Sequence, residues 1–241
     1  AEYNGYDSIS FIVVSSADNI LRANEQLRLR SDAIEFVFNY YNSHLYWINE
    51  KGKMKIPFEQ LLFEWIYQMK IDQNGQLWLT GRGKNKKSLI ARFDGVNMEY
   101  YSIPRTDKEI GKHNITPLED SQGNIWFNGY RRGLLKYNKD GFWKYDFSYY
   151  IESEIQSFTI DSRDRIWITT KYDGLIQLDG EELNFFNPKN GFPYYETIKV
   201  KADFENRIWV SSTNGVAVVE DHPNSSKGYR IRSNEQIGQP I

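Results

Sequence analysis

The stretch DSRDRIWITTKYDG, from Asp161 to Gly174, contains a polar turn, a short apolar run around a tryptophan, and a second turn that ends in glycine. Three other stretches repeat this pattern: DQNGQLWLTGRG from Asp72, DSQGNIWFNGYRRG from Asp120 and DFENRIWVSSTNG from Asp203. Their tryptophans recur every 41 to 48 residues, at Trp78, Trp126, Trp167 and Trp209. A period of roughly 40 residues is the length of a four-stranded propeller blade, so the repeat predicts that architecture.

Two weaker copies precede these four. NSHLYWIN places Trp47 in the position of the repeated tryptophan, and IVVSSADNILRAN, Ile12 to Asn24, aligns with IWVSSTNGVAVVE with Val13 as the counterpart of the tryptophan. We therefore expect an all-β fold of about six repeats, or part of a larger propeller. Residues 1–241 would form a single propeller domain or segment, with strong repeats over 69–220, degenerate repeats over 1–68 and a closing segment over 221–241.

The last two strong units divide into four short strands each, which we call a to d in chain order. The predicted strands are EIQSFTID, IWITT, LIQLD and LNFFN in one unit, and TIKVKAD, IWVSS, VAVVE and YRIRS in the next. They are rich in β-branched and aromatic residues, with Gly, Asn and Asp between them. The b strands are continuously apolar, which indicates a sheet covered on both faces.

The repeated aspartate has a structural interpretation. Its carboxylate can accept a hydrogen bond from a backbone N–H two residues further on, and the Gly or Asn that follows tolerates a positive φ. The tryptophan then fills the space between neighbouring blades. DQNG at Asp72 begins like a calcium loop, but the later acidic ligand of an EF-hand is absent, so we predict a turn and no metal site.

Composition excludes several classes of protein. The formal net charge is −2 and the pI about 6.0, which argues against a protein that mainly binds duplex nucleic acid. No apolar run approaches the roughly 18 residues of a membrane span, and the polar start at Ala1 does not resemble a signal peptide. The absence of cysteine excludes a disulfide framework and a thiolate metal site. We expect no cofactor.

Propeller topology sorts the loops between the strands. The a–b and c–d turns lie on one face, where the repeated Asp/Gly turns belong. The b–c and d–a loops lie on the other face, and in this chain they are long and differ in every unit. Variable loops on a rigid scaffold are where binding residues usually lie.

Aromatic and basic side chains are concentrated in these variable loops. The candidate ligand-binding residues are Trp65, Arg82, Tyr130, Arg131, Tyr149, Tyr150, Lys171, Tyr172, Tyr194 and Tyr195. A tyrosine offers a flat apolar ring with a hydroxyl at its edge, which suits a sugar ring, and Arg or Lys would suit carboxylated or sulfated glycans. The alternative is that the tyrosines seal gaps between blades, that Trp65 lies in the core, and that Arg131 belongs to an ordinary solvated turn.

Catalysis has little support in the sequence. No HExxH, GxSxG, phosphate-binding or dinucleotide-binding motif occurs. Of the three histidines, only His113 falls in a predicted site loop, and the glutamates Glu152, Glu154 and Glu196 lie close to the predicted site. We therefore predict a binding protein, and we keep a propeller enzyme (a lyase or glycan hydrolase) and a protein-binding propeller as alternatives.

EDSQGNIWFNGYRRGLLKYNKDGFWKY, from Glu119 to Tyr145, resembles the two-component regulator propeller repeat, with its D-x-x-G-N-I-W core followed by G-L and a D-G turn. The resemblance covers Met69 to Glu220. Asp164 and Glu205 sit near the expected glycine, and Asn128 replaces a small residue. The resemblance implies the periplasmic or extracellular sensing part of a bacterial signalling receptor, often one that detects glycans. Virginiamycin-B-lyase-like propellers carry a similar D-x-x-G-x-I-W-F core.

Overall fold

The described residues of the computed structural model form five four-stranded sheets. These residues are 26–30, 34–39, 44–49, 52–57, 60–102, 115–223, 225 and 228–233. In every sheet the strands lie side by side in chain order, and each pairs antiparallel with the next. Each sheet is therefore a meander of four strands, a to d. This confirms the all-β prediction and the four-stranded unit.

The strands separate into two compact units. In the first unit, the sheets are β1 (Gln26–Arg30), β2 (Ile34–Asn39), β3 (His44–Asn49) and β4 (Gly52–Pro57), then β5 (Phe63–Ile71), β6 (Leu77–Gly83), β7 (Ser88–Phe93) and β8 (Met98–Ser102). A third sheet starts at the junction, with β9 (Pro117–Glu119), β10 (Ile125–Tyr130), β11 (Gly133–Asn138) and β12 (Gly141–Asp146). The second unit, from residue 118 onward, continues with β13 (Ile155–Ile160), β14 (Ile166–Thr170), β15 (Leu175–Asp179) and β16 (Glu182–Phe186), then β17 (Thr197–Ala202), β18 (Ile208–Ser212), β19 (Gly215–Asp221) and β20 (Tyr229–Ser233).

The strands predicted for the last two units are confirmed. IWITT, LIQLD, IWVSS and YRIRS match β14, β15, β18 and β20 residue for residue. The other four agree to within one or two residues at their ends. Strand β14 is buried at all five positions, as expected for a b strand covered on both faces.

The strand assignment of the weaker Trp47 copy is not confirmed. Trp47 lies in β3, the third strand of its sheet, so its predicted equivalence to the b-strand tryptophans is wrong. It nevertheless packs between sheets, with its ring edge-on to Phe93 at a centroid distance of 5.6 Å. The Val13 copy, His113 and the tail Asn234 to Ile241 lie outside the described residues.

One aspartate organises the a–b turn in each of the four sheets from β5 onward. One oxygen of its carboxylate accepts backbone N–H groups two and four residues further on, as in Asp161 with Arg163 at 2.9 Å and Arg165 at 3.1 Å. The other oxygen accepts the indole Nε1–H of the tryptophan six residues on. This bond recurs at Asp72–Trp78 (2.9 Å), Asp120–Trp126, Asp161–Trp167 and Asp203–Trp209 (each 2.8 Å). The carboxylate is thus saturated by protein donors, which supports the structural interpretation over a calcium loop.

The third residue after each aspartate has a positive φ. Glycine fills this position in two turns, Gly75 and Gly123, while Asp164 (φ 61°) and Asn206 (φ 63°) fill it in the others. Asn206, rather than Glu205, therefore replaces the family glycine. Both side chains bind the serine at the tip of the preceding turn. Asp164 accepts the Ser121 N–H at 2.8 Å and its hydroxyl, and Asn206 accepts both from Ser162 at 2.9 Å. The departures from glycine thus link consecutive a–b turns of the second unit.

Two substitutions at Asp164 separate the contribution of its side-chain hydrogen bonds from the cost of its positive φ. Asp164→Ala is expected to lower the free energy of unfolding by about 1–2 kcal/mol, because alanine loses the acceptor and retains the unfavourable positive φ. Asp164→Gly is expected to cost less than the alanine variant, because glycine adopts a positive φ freely. Urea unfolding of both variants gives the order. An alanine variant as stable as the parent would show that the link between turns adds no stability.

Two of the repeated tryptophans of the second unit, Trp126 and Trp167, lie between sheets. Trp126 belongs to a cluster with Ile166 and Ile168 of β14, and Trp167 belongs to a cluster with Val200 of β17 and Val210 of β18. Each therefore fills the gap between its own sheet and the next one along the chain, as predicted. This packing fixes the b strands, and with them the b–c loops that follow.

Candidate ligand-binding cleft

Two adjoining cavities open among the loops that the sequence places on the variable face of the second unit. The first, about 380 Å³, is lined by Arg131, Glu152, Ser153, Glu154, Lys171, Tyr172 and Asp173. The second, also about 380 Å³, is lined by Glu154, Gln156, Lys171, Tyr172, Glu196, Thr197, Ile198 and Thr213. Because Glu154, Lys171 and Tyr172 line both, we treat the two cavities as one cleft.

The loops around the first cavity are joined through their backbones. The d–a loop that ends at Glu154 lies between the b–c loop at Arg131 and the b–c loop at Lys171. Ile155 N–H donates to the Arg131 carbonyl at 2.8 Å, and Lys171 N–H donates to the Glu154 carbonyl at 2.9 Å. Arg131 Nε also lies 3.1 Å from Glu154 Oε1. The three loops are therefore held together as one wall.

A second set of hydrogen bonds fixes Tyr172. The Ser153 N–H donates to Asp173 Oδ2 at 2.9 Å, and the Ser153 hydroxyl donates to the same oxygen. Ser153 Oγ accepts the backbone N–H of Tyr172 at 3.0 Å. Asp173 and Ser153 therefore have a positioning role: they orient the b–c loop that carries Tyr172, and the Tyr172 side chain lines the cleft.

Thr197 anchors the second cavity. Its hydroxyl lies 2.9 Å from the carbonyls of both Thr170 and Gly174, and its oxygen accepts the Thr170 N–H at 3.0 Å. Gly174 has a φ of 87°, and a Cβ there would meet the Phe186 carbonyl oxygen at 2.2 Å. The glycine at the end of the repeated string is thus required by both the turn and the close approach of the d strand.

Tyr172 offers the main apolar surface of the cleft. Its side chain is 53% exposed, and Lys171 Nζ lies 5.0 Å from its ring centroid. Within the described residues the Tyr172 hydroxyl makes no hydrogen bond, and neither Lys171 nor Glu152 forms an ion pair. These groups are available to a ligand.

The structure brings together three of the residues predicted from sequence, Arg131, Lys171 and Tyr172. Of the other tyrosines, Tyr194 is half-buried against the cluster that joins Trp167 to Val210 and so helps to seal the gap between two sheets, while the partly exposed Tyr195 contributes its carbonyl to the Gly174 turn. Tyr149 and Tyr150 are exposed and contact each other edge to face, outside the cleft lining.

The remaining predicted residues lie elsewhere. Lys144 Nζ lies 4.6 Å above the ring of Tyr130, at the end of β10. Trp65 and Arg82 belong to the first unit, on paired strands β5 and β6. Trp65 is therefore in a strand rather than in the predicted loop, and at 53% exposed it is not in the core either. Arg82 Nε is 3.0 Å from Glu64 Oε2.

Sequence reasoning missed several lining residues. Gln156 and Ile198 lie on a strands, and Thr197 begins one, where alternation alone does not tell which side reaches a loop cavity. Ser153 and Thr213 are small polar loop residues with no distinctive motif. The sequence places three glutamates close to the predicted site, and all three line the cleft: Glu152, Glu154 and Glu196.

No helix in the described part of the chain is long and apolar enough to cross a bilayer. Comparison with models of protein families gives no match, and comparison with curated proteins gives none either.

Solved structures do match. Virginiamycin B lyase from Staphylococcus aureus superposes with a TM-score of 0.59 at 17% identity, over 88% of this chain and 70% of that one. The extracellular domain of a putative hybrid two-component system from B. thetaiotaomicron gives 0.54 at 17% identity, over 86% of this chain and 28% of that one. YCF48 bound to D1 peptide gives 0.54 at 10% identity, over 83% and 64%. At these identities the likeness concerns the fold, and the chain has the β-propeller fold of these proteins.

Proposed function

We propose that this chain is a ligand-sensing propeller that binds an oligosaccharide in the cleft between the b–c and d–a loops of the second unit. It would act on the periplasmic or extracellular side of a bacterial signalling receptor. The fold likeness to extracellular domains of two-component systems supports this context. The proposed role is recognition, without turnover of the ligand.

The observation that carries the proposal is the shared lining of the two cavities. Three residues line both cavities, namely Glu154, Lys171 and Tyr172. A single ligand can therefore extend from one cavity into the other. Each cavity is within the range of roughly 300–1,000 Å³ that small-molecule sites span. A linear chain of sugar units can extend across two adjoining cavities, whereas one compact molecule would fill only one of them.

The chemistry of the cleft suits a sugar. The exposed ring of Tyr172 can stack on the apolar face of a pyranose, and its hydroxyl can reach the hydroxyl rim. Around it stand Lys171, Glu152 and Gln156, which donate to or accept from hydroxyl groups. A few polar groups around an apolar surface give both affinity and orientation.

A propeller enzyme is the second candidate. Glu152, Glu154 and Glu196 place three carboxylates in one cleft, and the fold is shared with virginiamycin B lyase. However, Glu154 is ion-paired with Arg131, and Glu196 Oε2 accepts the Thr213 hydroxyl at 3.0 Å. Product formation with a bound glycan would favour this candidate, and saturable binding without products would favour the sensor.

Replacing Tyr172 tests the binding site. A glycan array identifies a bound oligosaccharide, and calorimetric titration then compares variants. Tyr172→Ala is expected to weaken binding by about tenfold or more, because the ligand loses its stacking surface. Tyr149→Ala is the matched control: Tyr149 is 91% exposed and lies outside the cleft lining, so affinity should not change. Equal affinities for both variants, or no bound glycan at all, would contradict the proposal.

A further inference from the structure

The lining of the cleft carries more acid than base. Four carboxylates line it, and they belong to Glu152, Glu154, Asp173 and Glu196. Two cations line it, Arg131 and Lys171. Four negative charges against two positive ones leave a formal balance of −2. The basic residues that the sequence draws attention to are therefore outnumbered in the folded site.

The pairings show which charges remain for a ligand. Arg131 Nε is 3.1 Å from Glu154, so these two charges largely cancel. The Asp173 carboxylate receives the N–H and the hydroxyl of Ser153, which reduces its field without cancelling its charge. Lys171 is then the one lining cation with no ion pair among the described residues, and it lines one cavity with Glu152 and the other with Glu196.

Lys171 also makes a cation–π contact with Tyr172. Its Nζ lies 5.0 Å from the Tyr172 ring centroid, on the same ring that a sugar would stack against. A sulfate or carboxylate that approached this ammonium would also approach the carboxylates that line the same two cavities, and like charges repel at such short range. A hydroxyl or an amino group can instead donate a hydrogen bond to Glu152 or Glu196.

We infer that the cleft selects uncharged and amino-bearing saccharides and rejects acidic ones. This inference rests on the proposed function and narrows its ligand class. It reverses the expectation from sequence, where the loop arginines and lysine pointed to carboxylated or sulfated glycans. The reversal has a simple physical reason: the ion pair between Arg131 and Glu154 cannot be seen until the two loops meet.

The test uses a glycan array that holds neutral, amino-bearing, uronic and sulfated oligosaccharides. Wild-type protein is expected to bind neutral or amino-bearing members and no uronic or sulfated ones. The double variant Glu152→Gln/Glu196→Gln removes the charge of the two lining glutamates that form no ion pair among the described residues and keeps the size of their side chains. It is expected to gain about tenfold or more in affinity for uronic glycans. Glu181→Gln/Glu182→Gln makes the same charge change at the end of the c–d turn and the start of β16, outside the cleft, and should gain nothing.

Salt provides an independent reading. If repulsion excludes acidic glycans, raising the salt concentration screens the repulsion, so acidic glycans should begin to bind while the affinity for neutral glycans stays constant. Preferred binding of a uronic or sulfated glycan by the wild type, or equal gains in both double variants, would overturn the inference and leave the sugar-binding site in place. An array with no bound member of any class would instead overturn the proposed function itself.

Discussion

Trp167→Ala is expected to lower the free energy of unfolding by about 3–5 kcal/mol, the range measured for large aromatic truncations in cores. Trp167 is almost fully buried, and its ring contacts Phe186 and Tyr229 at centroid distances of 5.5 and 6.2 Å. The substitution opens a void between two sheets. It also removes the indole N–H from the Asp161 carboxylate, a bond of 2.8 Å. Urea unfolding measures the loss, and Trp126→Ala is expected to behave alike.

Trp143 provides the matched control. It lies in β12, the last strand of its sheet, and its side chain is 55% exposed. Its indole N–H donates to Asn138 Oδ1 at 3.2 Å on the surface. Trp143→Ala is therefore expected to cost less than about 1 kcal/mol. A loss below about 1 kcal/mol at Trp167 as well would show that the repeated tryptophan does not hold the sheets together.

The repeated string allows prediction of the blade because it is locally consistent. Ten residues contain an aspartate that caps its own turn, a residue that accepts a positive φ and a buried b strand. The signals that define the turn and the strand are therefore local and can be recognised in the sequence. The sequence pattern predicts the wrong strand for Trp47 because its copy of the repeat lacks the aspartate. With no turn to fix the register, a tryptophan in an apolar run is equally suited to a b or a c strand.

The cleft could be predicted only in part for the same reason. Topology placed the b–c and d–a loops on one face, and Arg131, Lys171 and Tyr172 do meet there. Which tyrosine stays exposed depends on packing between sheets, as with Tyr194, which packs against the cluster that contains Trp167 of β14 and Val210 of β18. Such contacts join residues whose separation in the sequence carries no signal. The basic loop residues of the sequence likewise suggested a positive site, whereas the lining of the folded cleft has a formal balance of −2.

Arg165 joins two sheets of the second unit through charge. Its Nε donates to Asp161 Oδ2 at 2.7 Å, and its two terminal nitrogens donate to the two oxygens of Asp221 at 2.8 and 2.9 Å. Asp161 belongs to the a–b turn before β14, and Asp221 ends β19. Burial on its own would lower the pKa of Arg165, but the hydrogen bonds to Asp221 and Asp161 raise it above its ordinary value. The guanidinium therefore stays charged throughout the accessible pH range.

Arg165→Met is expected to lower the free energy of unfolding by about 3–5 kcal/mol, because it leaves the buried Asp161 carboxylate without its counter-ion. Methionine keeps most of the apolar stem, so the loss reports the charge and its hydrogen bonds rather than a cavity. Arg163 is the matched control, since its NH1 group also pairs with Asp221, at 2.9 Å, but its side chain is 62% exposed against 7% for Arg165. Arg163→Met is therefore expected to cost at most about 1 kcal/mol. Chemical unfolding of both variants at neutral pH gives the comparison. Similar losses at the two sites would mean that burial does not determine how much the Arg165 ion pairs contribute to the free energy of unfolding. They would also mean that either arginine can serve as the counter-ion of Asp221.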